Sequence, residues 1–194
     1  MLRLLLVAVL AVSAVAGAAN HTDPAPVEYR GWPYKAPTPL QAPGATTLLF
    51  AGDVRALIEA TDVLLVNVSP ITLGPADAYG QRTWIIPRGK PARQIPGSIW
   101  LPNVGYQSLQ PSMQAYFEDN LRRASGGDKS RPLLFYCTAD CWMSWNAAIR
   151  ARRELGYRNV YWYPYGIDGW KEQEYELGTA VPIPFASESA QSVD

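Results

Sequence analysis

The 194-residue chain has the length of one globular unit with tails, and 48% hydrophobic against 18% charged residues is enough apolar material for a buried core. Seventeen basic side chains balance seventeen acidic ones, so the basic footprint that grips a phosphate backbone is missing and nucleic acid is excluded as a partner. The single histidine, His21, excludes His-cluster metal sites, Ser-His-Asp triads and Cys-His pairs, each of which needs an imidazole beside the chemistry.

At the N-terminus, Met1-Leu2-Arg3 carries one positive charge, residues 4–15 are apolar and Ala16-Gly17-Ala18 supplies small side chains, the pattern of a cleaved secretory leader. Residues 1–18 are therefore expected as a signal peptide and the mature protein as periplasmic or secreted. No membrane span is expected after cleavage, because the apolar run is shorter than the ~20 residues that cross a bilayer. Residues 19–45 should form an extended strap. Pro24, Pro26, Pro33, Pro37, Pro39 and Pro43 block helix and interior strand there, and Tyr29, Trp32 and Tyr34 are its expected anchors.

Residues 53–60 read as a short amphipathic helix feeding residues 63–68, a near-continuous apolar run typical of a buried parallel strand. A long Gly- and Pro-rich stretch reaches Arg93; its Arg82, Arg88, Lys90 and Arg93 either complement an acidic partner or form a solvated face. Residues 95–102 give a turn and a short strand. Residues 111–124 give a helix with proline in its first turn, ended by Ser125-Gly126-Gly127-Asp128. A second buried strand over 132–137 leads to a helix over 144–155, stopped by Gly156. A third strand follows over 160–163, and a last short helix starts at Gly166 with Asp168 as its cap. The alternation predicts an α/β domain over 46–178, a central, mostly parallel sheet flanked by helices, with residues 179–194 as a C-terminal tail.

Cys137 and Cys141 are the two cysteines, and Cys137 ends a buried strand just before a helix. Carboxyl ends of parallel strands are where ligands bind, and the loop amides with the helix N-terminus favour an anion. A thiolate is such an anion, so Cys137 is expected to have a lowered pKa, with Thr138 and Ser144 as further donors. The plainer readings are a buried inert thiol or a structural disulfide to Cys141. If the loop takes one helical turn, a spacing of four puts both sulfurs on one face, and export would place them where disulfides form. Trp142 and Trp145 are either walls of this loop, a stacking surface for a flat cofactor, or core.

Phe135-Tyr136-Cys137, the loop to Ser144, Leu155-Gly156-Tyr157, Asn159-Val160-Tyr161 and Gly166-Ile167-Asp168-Gly169-Trp170 resemble the second half of a rhodanese-like domain. Residues 63–68 and 95–102 resemble that family's preceding strand and its following turn and strand, so the resemblance covers roughly residues 46–178. It implies a single rhodanese-like domain in which Cys137 accepts a sulfane sulfur as a persulfide, with the loop residues Thr138, Ala139, Asp140, Trp142, Met143 and Ser144 around it. The chain departs from the family where a glycine and an arginine are usual and Asp140 and Trp142 stand, and where Asn67 and Ser69 replace an aspartate and an arginine. The added carboxylate predicts poor use of thiosulfate.

The phrase Cys137-Thr138-Ala139-Asp140-Cys141-Trp142 resembles an exported subgroup named for a CXXCW motif and associated with PQQ-dependent catabolism. This implies a sulfur-transfer or thiol-redox accessory role in periplasmic alcohol oxidation, with Cys137 and Cys141 as catalytic residues. The implied partners are a quinoprotein dehydrogenase or a thiol reductant. No cofactor is expected on the chain itself, and PQQ would be associated through the partner. Two other readings remain: a binding module for a quinoprotein or its cofactor, held by a structural disulfide, and copper handling through Cys137, Cys141 and Met143.

Overall fold

The computed structural model describes residues 28–87, 89 and 91–185. The expected signal peptide, His21, Arg88, Lys90 and residues 186–194 lie outside the described residues. A five-stranded parallel sheet runs in the order β1 (Thr46–Thr47), β8 (Val160–Tyr163), β7 (Leu133–Tyr136), β2 (Leu64–Asn67), β6 (Ile99–Trp100). Four helices cover it: α1 (Ala51–Ala60), α2 (Pro111–Ala124), α3 (Trp142–Arg153) and α4 (Gly166–Glu172). Two antiparallel pairs complete the fold, β3 (Thr72–Leu73) with β4 (Trp84–Ile85), and β5 (Arg93–Gln94) with β9 (Gly178–Thr179). The α/β expectation holds, with every pairing of the central sheet parallel.

The three middle strands are buried on both faces, which explains why their sequences are continuous apolar runs. Side chains still alternate between two cores. Leu133, Phe135 and Cys137 join Leu64, Val66, Val160 and Trp162 in the larger core, which packs α2 and α3, whereas Leu134, Tyr136, Leu65 and Tyr163 face α1 and α4. Strand periodicity alone therefore puts Cys137 on the α3 side.

The helix α2 spans the predicted residues: proline at its start lacks only an amide that would be unpaired, and Met113, Tyr116, Phe117 and Leu121 form its buried stripe. The helix α3 begins at Trp142, two residues earlier than expected, with Cys141 as its N-cap. Residues 143–151 of α3 are all buried.

Two boundaries move. Residues 28–45 do form a strap, but Trp32 is 86% exposed and anchors nothing, while Tyr29 and Tyr34 pack on the larger core and Ala42 is inside it. The expected tail from residue 179 instead belongs to the domain as far as Phe185. Ala180 and Phe185 are buried, the Ile183 amide donates to the Trp100 carbonyl at 2.9 Å, and Phe185 packs against Trp84 and Tyr116.

Candidate functional site

At the carboxyl end of β7 the chain turns through residues 137–141 into α3, and both sulfurs point into the larger core. Cys137 is 1% and Cys141 5% exposed, and both thiols are free. The turn is tight. A Cβ on Gly166 would fall 2.1 Å from the Cys137 carbonyl oxygen, which accepts the Ile167 amide at 2.9 Å. Only a glycine, here at φ +50°, permits that approach.

The order of acidity is the reverse of the sequence expectation. Cys141 is the residue at the N-terminus of α3, and its pKa is lowered to about 7. The main cause is a hydrogen bond from the Cys137 thiol; the amides of Met143, Ser144 and Thr138 add to it. Cys137 has its pKa raised, because its proton is shared with Cys141, because it is buried and because a thiolate on Cys141 repels a second one. The Ser69 hydroxyl and the Thr138 amide oppose that rise. The two thiols thus share a proton, and the helix amides favour the charged form at Cys141.

The remaining loop groups are committed elsewhere. Ser144, expected as a donor to sulfur, instead gives its hydroxyl proton to the Cys141 carbonyl at 3.1 Å and accepts the Trp162 indole N–H at 3.0 Å. The Thr138 hydroxyl lies 4.0 Å from Cys137 Sγ. Asp168 makes no side-chain cap on α4; its Oδ2 accepts the Ala139 amide at 3.0 Å and so ties the loop to that helix. Asp140 is exposed at φ +51°, a left-handed conformation that glycine adopts freely and that costs a non-glycine residue roughly 1 kcal/mol. Met143 is buried, and Trp142 and Trp145 meet edge to face at 5.2 Å as walls of the loop.

The strap closes the site from outside. The Trp142 amide donates to the Tyr34 carbonyl and the Ala36 amide to the Asp140 carbonyl, each at 2.9 Å, which places Lys35 opposite Cys141 in an antiparallel bridge. The Lys35 ammonium donates to the Ala139 carbonyl, and the indoles of Trp142 and Trp145 donate to Pro37 and Gln41. On α3, the Asn146 side chain takes both main-chain groups of Arg30 and also donates to Gly105. Buried Arg150 donates to Val104, Tyr106 and Gln107, lies 4.2 Å from the Tyr29 ring and pairs with Glu154 at 3.4 Å. Sequence reading found Tyr34 as an anchor but missed Lys35, Asn146 and Arg150. A signal was present for the last two, since polar residues four apart interrupt an otherwise alanine-rich buried helix.

Of the basic residues of the long loop, the two described ones, Arg82 and Arg93, bond main-chain carbonyls: Arg82 donates to Gly74 and Leu73, and Arg93 to Leu177. Among the described residues, no group of three or more His, Cys, Asp or Glu side chains could hold a metal ion. No described helix is long and apolar enough to cross a membrane.

Comparison with known proteins gives one family: the rhodanese-like domain matches residues 50–173. No curated protein matches significantly. Among solved structures, a thiosulfate sulfurtransferase from Pseudomonas aeruginosa is 16% identical, with a TM-score of 0.46 over 75% of this chain and 22% of its own. The polysulfide-sulfur transferase homodimer of Wolinella succinogenes is 15% identical, with a TM-score of 0.40 over 77% of this chain and 85% of its own. A 3-mercaptopyruvate sulfotransferase from Escherichia coli is 16% identical, with a TM-score of 0.44 over 74% of this chain and 55% of its own. The chain thus spans less than a third of the Pseudomonas aeruginosa enzyme.

Proposed function

The chain belongs to the rhodanese-like domain family, and from that premise we propose that it is a sulfurtransferase-type domain whose Cys137 and Cys141 work as a thiol–disulfide couple. The observation that carries this reading is the pair itself: two free, buried thiols, one at the carboxyl end of β7 and one at the N-cap of α3, each shifting the other's pKa. A thiol with a pKa near 7 is about half ionised at neutral pH and is close to the optimum for attack on a disulfide or sulfane sulfur. Cys137 supplies the second thiol that resolves the resulting bond.

Transfer from thiosulfate is disfavoured by the same loop. Its Ala139 amide is held by Asp168 and its Trp142 amide by Tyr34, so these two are not offered to a doubly negative donor, and Asp140 adds a like charge. Weak thiosulfate:cyanide activity, raised by Asp140→Gly, is the expected result.

The sequence features of the leader and of the CXXCW phrase support an exported protein serving PQQ-dependent alcohol oxidation. Its partners are a quinoprotein dehydrogenase, which would carry the PQQ, and a thiol reductant. The test is intact mass of the purified exported protein before and after reduction, with the reduction potential of the pair. A reversible loss of two hydrogens at a potential above about −300 mV is expected. A disulfide that resists reduction below that value would make it structural and the protein a binding module.

A further inference from the structure

Resting on the thiol–disulfide reading, the strap identifies the class of substrate. Lys35 and Cys141 are opposed across two main-chain hydrogen bonds, Trp142 to Tyr34 and Ala36 to Asp140. Both bonds join the flanking residues, and none joins Lys35 to Cys141 themselves. That is the non-hydrogen-bonded kind of antiparallel pair, in which opposed Cα atoms stand about 4.5 Å apart and side chains are nearest. A disulfide spans Cα separations of about 4.4–6.8 Å. A cysteine in the register of Lys35 would stand within bonding reach of Cys141.

The two bonds use only main-chain groups, so any extended segment could make them, as when a peptide adds to a strand. The same stretch is also held by side chains: the Tyr34 hydroxyl accepts the Gln107 amide and its ring meets Tyr106, the Lys35 ammonium donates to the Ala139 carbonyl, and the Pro37 carbonyl accepts the Trp142 indole N–H. Further anchors lie to either side. Arg30 is held by Asn146, the Gln41 carbonyl by Trp145, and Ala42 is in the core. Those outer anchors stay in place when the middle of the strap gives up its contacts with Gln107, Tyr106, Ala139 and Trp142 and parts from the loop.

We propose that Tyr34–Pro37 occupies the seat of a polypeptide substrate: an extended segment with a disulfide-bonded cysteine in the register of Lys35. The Cys141 thiolate attacks that cysteine's sulfur, forming a mixed disulfide and expelling the substrate's second cysteine as a thiolate. That thiolate takes the Cys137 proton. The Cys137 thiolate then attacks Cys141 Sγ, forming the Cys137–Cys141 disulfide and releasing the first substrate cysteine as a thiolate, which is protonated by solvent. Two electrons pass from the pair to the substrate disulfide, and an external dithiol reductant restores the pair.

The test uses the full chain carrying Cys137→Ser, which can form the mixed disulfide but cannot resolve it. Two synthetic peptides of the strap sequence 31–39 carry Lys35→Cys or Ala36→Cys, each activated as a disulfide with thionitrobenzoate. We expect the first to react with Cys141 at least tenfold faster than the second, with Tyr34→Ala in the protein raising the rate further. Within the protein, Lys35→Cys combined with Cys137→Ser should form a disulfide to Cys141, and Ala36→Cys should not. Equal rates for the two peptides, with Cys141 still reacting with the free aromatic disulfide, would overturn the substrate seat and leave the redox reading intact. If Cys141 fails to react even with that small disulfide in the folded protein, the redox reading falls and this inference falls with it.

Discussion

The strap over residues 28–45 and the long connection over residues 70–94 are both irregular and rich in proline or glycine, yet they are held in opposite ways. The connection satisfies much of its backbone by itself. It closes the β3–β4 hairpin, Asp77 accepts the amides of Tyr79 and Gln81, and Arg82 bonds carbonyls eight and nine residues away. Its ties outward are Trp84 donating to Ile183, Asn103 bonding both main-chain groups of Ile71 and, at its far end, the β5–β9 pair with Arg93 donating to Leu177. The strap instead takes its partners from the domain, on α3 and on the loop that holds the cysteines. Irregular backbone must find hydrogen bonds somewhere, and where it finds them decides what it controls. The connection covers the fold, whereas the strap governs access to Cys141.

The comparison is tested most severely at Asn146. Asn146→Ala strands the Arg30 amide and carbonyl and the Gly105 carbonyl, and should cost about 3 kcal/mol in denaturant unfolding. Alkylation of Cys141 should speed up in the same variant as the strap loosens. Trp84→Ala removes the connection's main anchor, a partly buried ring packed on Tyr116 and Phe185, and should cost about 2–3 kcal/mol. Its Cys141 alkylation rate should match wild type; a rate rising as in Asn146→Ala would erase the distinction between the two coverings.

A smaller effect is expected inside the pair. Cys137→Ala removes the thiol that most stabilises the Cys141 thiolate. Since a hydrogen bond to a charged group contributes about 1.5–3 kcal/mol, the midpoint of the alkylation pH profile should move up from about 7 by about one to two units. In the wild type, Cys141 has a folded pKa below that of a free thiol, about 8.5. Its contribution to stability is therefore complete above that value and falls away as pH drops through 7. Unfolding measured between pH 9 and pH 6 should show this decline, and Cys137→Ala should flatten it. The smallest effect belongs to the connection: Arg82 is exposed, and Arg82→Ala should change stability by about 0.5 kcal/mol with thiol reactivity unaltered.

The prediction that failed at the cysteines failed for a local reason. The expectation placed Cys137 at the strand end beside the loop amides and started the helix at Ser144, three residues past Cys141. The actual start at Trp142 turns the first amides of α3 on Cys141. The two-residue strands β1, β3, β4, β5 and β9 were also invisible, because they exist by pairing with distant segments and are too short to show periodicity. By contrast, α2 ends where proline and the Gly126-Gly127 turn place its limits, and β8 matches its apolar run.

What the sequence determines by itself is what depends on neighbours along the chain. Apolar runs make β2, β7 and β8, and strand alternation turns Cys137 toward the larger core. Tertiary structure alone decides the rest: that Cys141 carries the lowered pKa, that Asp168 holds the Ala139 amide, and that Lys35 lies opposite Cys141. The contacts of Lys35 and Asp168 join groups about a hundred and about thirty residues apart, and each uses a main-chain amide or carbonyl that every residue possesses. Side-chain identity leaves no mark of such bonds, so only the folded chain shows which ones are made.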